Sequence, residues 1–210
     1  MKKIKAFTLT EVMMSLFIIG IILMIAMPVY VKQAANRETF FQLRKFYPIM
    51  DNVLDRIRLE HMGMENAVPV GTEDFTASIL PLLRVGETCR TDPIGNCWID
   101  NDSGDEDSTL NNDELYYKFK LVDGTAIAMK VYQQCDGSES INVVRKTADG
   151  VFDYSQPQDI TDACIKMYVD VNAEDGPNKW GEDRVSFVYS VEKGFIPASE
   201  KAVQVIHPEE

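Results

Sequence analysis

Between Phe7 and Val31 the chain holds a single charged residue, Glu11, in an otherwise apolar run. As a helix this run rises about 37 Å, enough to cross a bilayer core of roughly 30 Å. A carboxylate in such a span costs on the order of 2.5–3.5 kcal/mol at the centre and less near an interface, so an acid there is read as having a partner and a task. Lys2, Lys3 and Lys5 stand before the run with no acid beside them. That bias keeps the N-terminus in the cytoplasm and exports the residues beyond the span.

Two plainer readings compete. A secretory signal peptide has an apolar core of about 7–15 residues and small residues at its cleavage site. This run is longer, and Ala34 and Ala35 come after Lys32 and Gln33 without an A-x-A pattern. A plain membrane anchor explains the basic flank and the span. It gives no reason for Glu11 or for Phe7 directly after Ala6.

The basic leader, the small Ala6, then Phe7, Glu11 and the distal Pro28 occur together in order. In that order they resemble the leader and first helix of prepilins, the precursors of the type IV pilin and type II secretion pseudopilin family. The resemblance covers about the first 30 residues. It implies that prepilin peptidase cuts between Ala6 and Phe7 and that the new Phe7 amino group is methylated. It implies residence in the inner membrane, among lipid and assembly machinery, and then packing with other pilin-like subunits into an extracytoplasmic helical filament. Glu11 and Pro28 are then assembly residues. No cofactor is implied beyond a possible structural calcium, which some pseudopilin heads hold in an acidic loop near their C-terminal end.

After the span, enough chain remains for one domain with its own core. The formal net charge is −12. Removing the three leader lysines gives −12 − 3 = −15. A chain this acidic lacks a broad nucleic-acid-binding face. The basic residues between Arg37 and Arg58 are interleaved with Glu38, Asp51 and Asp55, which reads as a solvated helix face.

Periodicity sets the domains: a leader (1–6), an apolar helix half (7–31), an amphipathic half (32–63), a head (64–197) and a tail of weak pattern (198–210). Pro28 and Pro48 lack a backbone donor and should kink the helix rather than end it. Phe40, Leu43, Phe46, Met50, Val53, Leu54, Ile57 and His61 recur at spacings of three or four and define one apolar face. Gly63 marks the helix end. Residues 75–83 fit a short helix, and residues 100–114 an acidic loop. Asp123-Gly124 between residues 115–122 and 125–133 is a hairpin signal. A second turn is expected at Asp149-Gly150, between residues 143–145 and 151–154. Ile165, Met167 and Val169 alternate, as do Val185, Phe187, Tyr189 and Val191, ahead of a turn at Lys193-Gly194. A long helix and then an antiparallel sheet make an α+β fold. The apolar face of the helix needs a partner, and one face of the sheet offers it.

Cys89, Cys97, Cys135 and Cys164 all lie in the exported part. Four cysteines permit three pairings in an oxidising compartment, and neighbours in sequence favour Cys89–Cys97 and Cys135–Cys164. The spacings contain no C-x-x-C pair, which disfavours zinc.

Two acidic segments invite a calcium reading. Asp170, Asn172, Glu174, Asp175 and Asp183 place oxygen atoms in a Gly-containing loop, the donor type a hard cation takes. The glycine and the closing residue miss the EF-hand positions in this segment and in residues 100–111. A plain Asx- and Gly-rich turn is the favoured alternative for both. Trp98 and Trp180 stand beside turns and read as core. No nucleophile–base set is evident: His61 falls on the apolar helix face, His207 is in the tail, and no G-x-S-x-G, P-loop or H-E-x-x-H occurs. The expectation is a structural subunit, not an enzyme. An anchored binding or sensor head that never polymerises is the alternative, and an anchored exported hydrolase stands third.

Overall fold

A computed structural model describes residues 9–68, 71–90, 97–98, 116–141, 145–146, 152–153, 158–173, 176 and 178–206. The chain divides into two compact units, Met1–Glu38 and Thr39–Glu210. Helix α1 (Leu9–Glu60) has residues in both.

In the first unit, Leu9–Pro28 is long and apolar enough to span a bilayer, and none of it is buried. The helix continues past Pro28. That residue has no N–H, so the carbonyl of Met24 loses its helical donor.

In the second unit, α1 buries Leu43, Phe46, Met50, Val53, Leu54 and Ile57. Each such side chain contributes about 1.5–3 kcal/mol relative to exposure. The partner surface is the inner face of an antiparallel sheet, and both share one core cluster. Past Pro48 the helix runs on, with Asn52 Nδ2 donating to the Pro48 carbonyl at 2.6 Å. His61 does not extend the buried face: it is exposed. The helix is already closing there, because Gly63 N–H donates to Arg58 O and Met62 N–H to Leu59 O. This is a Schellman closure, with Met62 at the left-handed position (φ 57°).

Helices α2 (Met64–Ala67) and α3 (Thr72–Ile79) come next, then a 3₁₀ turn at Leu80–Leu82. The main sheet holds β1 (Val85–Arg90), β2 (Tyr117–Leu121), β3 (Ala126–Val131), β4 (Gly137–Ile141), β7 (Gln158–Asp170), β8 (Arg184–Ser190) and β9 (Gly194–Pro197). Its order is β1-β2-β3-β7-β8-β9, with β4 also paired to β7. A separate pair, β5 (Arg145–Lys146) with β6 (Phe152–Asp153), stands where the second hairpin is expected. The Asp149-Gly150 turn itself lies outside the described residues. The β2–β3 hairpin turns at Asp123-Gly124, where Gly124 takes φ 91° and Leu121 N–H donates to Thr125 O.

Strand β7 is the axis of the head. Residues 165–170 pair with β3, and residues 158–163 pair with β4 along the same edge. The other edge pairs with β8. Alternation then sends Ile165, Met167, Val169, Val185, Phe187 and Tyr189 into the core beneath α1. Phe46 lies 5.8 Å from Phe187, and Tyr47 stacks on Phe195 at 5.3 Å between ring centroids.

The tail is more ordered than its pattern implies. Residues Glu200–Ile206 form α4 and bury Ala202, Val203 and Val205. Arg44 Nε donates to Val205 O at 3.1 Å, answering a carbonyl at the end of a helix too short to cap itself.

Candidate functional site

Glu11 lies in α1, two residues after its first described residue, Leu9. Ser15 Oγ donates to the Glu11 carbonyl at 2.7 Å, so the hydroxyl is satisfied within the helix. Around and beyond it, Leu16, Phe17, Ile18, Ile21 and Ile22 are exposed. Pro28 lies in the same helix. Ala6 and Phe7 lie outside the described residues. A helix with apolar side chains on all sides and one acid near its start has no use for water on its flanks. It can sit in lipid or among other apolar helices.

In the head, Cys89 bonds Cys97 and Cys135 bonds Cys164. The second bridge fixes the turn where β7 exchanges β3 for β4, and Tyr132 N–H donates to Cys164 O at 2.8 Å in the same place. Glu87 approaches Cys89 and Cys97 as a metal-ligand set would. Both sulfurs are spent in a disulfide, which leaves no thiolate to bind zinc.

The loop between β7 and β8 uses its acids internally. Arg184 Nε donates to Asp170 Oδ2 at 2.8 Å, and both side chains are fully buried. Burial pushes the Asp170 carboxyl above its ordinary value, and Arg184 pulls against that shift. Asp183 accepts from the backbone N–H of Asn178 at 2.8 Å and of Lys179 at 2.6 Å. Asn172 Nδ2 donates to Gly176 O. Its Oδ1 is buried and has no partner among the described residues. Glu174 and Asp175 lie outside the described residues. The described members therefore fit a hydrogen-bonded turn. They fit a cation cage poorly, because a divalent ion at Asp170 would face a buried guanidinium.

Trp98 is buried with Arg184 over its ring at 4.9 Å, and Trp180 meets Tyr168 edge-on at 5.1 Å. Both tryptophans pack on the sheet face turned away from α1. His207 and the acidic segment 100–114 lie outside the described residues.

Two features of the second unit escape a reading of the pattern. One is the Arg184 partner of Asp170; a lone arginine at the start of an apolar strand is the signal that points to it. The other is Met62, whose place one residue before Gly63 hides a left-handed residue that is not glycine.

No curated protein and no solved structure matches the chain. Residues 1–27 match the family described as the prokaryotic N-terminal methylation motif. The chain thus carries the signal motif of type IV pilins and pseudopilins on an apolar N-terminal helix, ahead of further helices and an antiparallel sheet in a pilin-like α+β arrangement.

Proposed function

We propose that this protein is a structural subunit, cut between Ala6 and Phe7, methylated on Phe7 and assembled into a type IV pilus or type II secretion pseudopilus. The observation that carries the reading is the coincidence of the methylation motif with an apolar stretch of α1, Leu9–Pro28, that is wholly unburied and holds one acid, Glu11. Lipid covers that stretch in the monomer. Other copies of it cover it in the filament.

Glu11 then has a defined task. Among apolar stems its carboxylate needs a positive partner, and the α-amino group of Phe7 on an adjacent subunit supplies one after cleavage. A neighbour slipped along the axis leaves both groups unpaired, so the pair selects register. The role is assembly, not catalysis, and it needs no cofactor.

The test compares processed protein in membranes with protein in sheared filaments. Glu11→Ala should insert and be cleaved like the parent but be strongly depleted from filaments. Ala6→Trp should block cleavage and leave a membrane monomer. Normal incorporation of both variants would overturn the assembly mechanism and favour an anchored head that does not polymerise.

A further inference from the structure

Met62 occupies the Schellman position that usually takes glycine, with φ 57° and 89 % of its surface exposed. A Cβ makes that conformation costly, and a side chain this exposed gains little packing in return. Glycine stands next door at Gly63, so the closure itself does not require a methionine. Beside it Leu59 is 73 % exposed. Together they form an apolar knob at the end of α1, flanked by the exposed acid Glu65, while Glu60 is held by Arg56 at 2.8 Å and Arg58 by Asp55 at 3.1 Å.

Elsewhere on the head is a groove of about 510 Å³, between α1, the 3₁₀ turn and the β2–β3 hairpin. Ile49, Leu82, Leu121 and Val122 line it, and the aliphatic side chains of Ile49 and Val122 are themselves exposed. Its polar lining is Lys45 and Arg84 against one acid, Asp123, which holds Lys45 at 3.1 Å. The groove is thus net positive in a chain of net charge −12. Knob and groove are both apolar, and the charges beside them that no ion pair takes up among the described residues, Glu65 at the knob and Arg84 in the groove, are opposite in sign. They cannot meet within one molecule, because Leu59 lies about 15 Å farther along α1 than Ile49.

We propose that the Leu59–Met62 knob of one copy seats in the groove of a second copy, with Glu65 facing Arg84. Two different surfaces meet in such a contact, so it is head-to-tail, and along the helical axis of the proposed filament it repeats without closing. The contact rests on the proposed filament function and adds to it a joint between heads that is independent of Glu11.

The test uses the full chain in its native host. All four native cysteines are in disulfides, so Met62→Cys and Val122→Cys introduced together supply the reactive thiols. Mild oxidation of sheared filaments should give a ladder of covalent multimers; mixing the two single variants should give dimers only. Met62→Gly, measured on the full chain in detergent, should raise the melting temperature by about 2–4 °C. The same variant should lower filament incorporation at least tenfold. Filaments that form normally but show no ladder, or that incorporate Met62→Gly as well as the parent, overturn this contact and leave the filament function intact. An unsubstituted chain that forms no filament overturns both.

Discussion

Asp170 and Arg184 face each other across β7 and β8, and the Arg184 Nε–Asp170 Oδ2 distance is 2.8 Å with neither side chain reaching solvent. The pair closes the ladder at the loop end, and Arg184 also covers the Trp98 ring. Removing Asp170 takes the carboxylate away from a fully buried guanidinium, at a cost of up to about 3–5 kcal/mol. Asp170→Ala should therefore destabilise the head severely in urea unfolding. Asp170→Asn, which keeps an acceptor, should cost less. Equal stability of Asp170→Ala and parent would show that Arg184 is satisfied elsewhere.

The same pair decides how calcium should behave. Asp170 is engaged by Arg184, and Asp183 by two backbone amides. The expected melting temperature is the same with calcium and with chelator, and Asp170→Ala should lose stability equally in both. A ligand that binds only the folded state raises stability by mass action. A calcium-dependent rise abolished by Asp183→Ala would restore the cation reading.

Asp162 ties β7 to the β8–β9 turn by accepting from Ser190 Oγ at 2.6 Å and Glu192 N–H at 2.8 Å. Burial raises its carboxyl, but these hydrogen bonds together outweigh burial and hold it below the usual carboxylate range. A depressed native value stabilises the fold above the unfolded value of about 3.9 and is lost as pH falls through the native one. The stability gap between parent and Asp162→Asn should be full at neutral pH and narrow on acidification. A gap independent of pH would contradict this.

Cys135 and Cys164 are 29 residues apart in sequence. Closing a loop of that length restricts the unfolded chain by about 3–4 kcal/mol. Replacing both by alanine should lower the urea midpoint accordingly, and reduction of the parent, which also opens Cys89–Cys97, should lower it at least as far. A smaller loss would show that the Tyr132–Cys164 backbone bond holds the turn alone.

The sequence made some of this legible and hid the rest for physical reasons. The α1 face and the alternations in β7 and β8 are periodic because each buries one side only. The β2–β3 turn is visible in Asp123-Gly124. Strand β1 is not: its Gly86, Glu87 and Arg90 show no alternation, because it is an edge strand held by pairing with β2 through two register shifts. Helix α4 is too short for a periodic signal and owes its place to tertiary burial. His61 continues the helical spacing on paper, but the backbone leaves the helix there. Ala6, Phe7, Glu174 and Asp175 remain legible only as sequence, while Glu11 and the cysteines have a structural setting.

The core unites distant parts of the chain: Leu43, Phe46 and Ile57 share it with Phe195, Ala202 and Val205. The face of α1 is made early in synthesis and its last partners about 150 residues later. At 5–20 residues per second that is an interval of roughly 8–30 s. Throughout it, the apolar stripe of α1 has no complete partner, and the head cannot close until Val205 has emerged. Translocation and folding are thereby placed in order: the chain can be threaded before there is a finished domain to obstruct it, and α4 acts as the latch that ends that window.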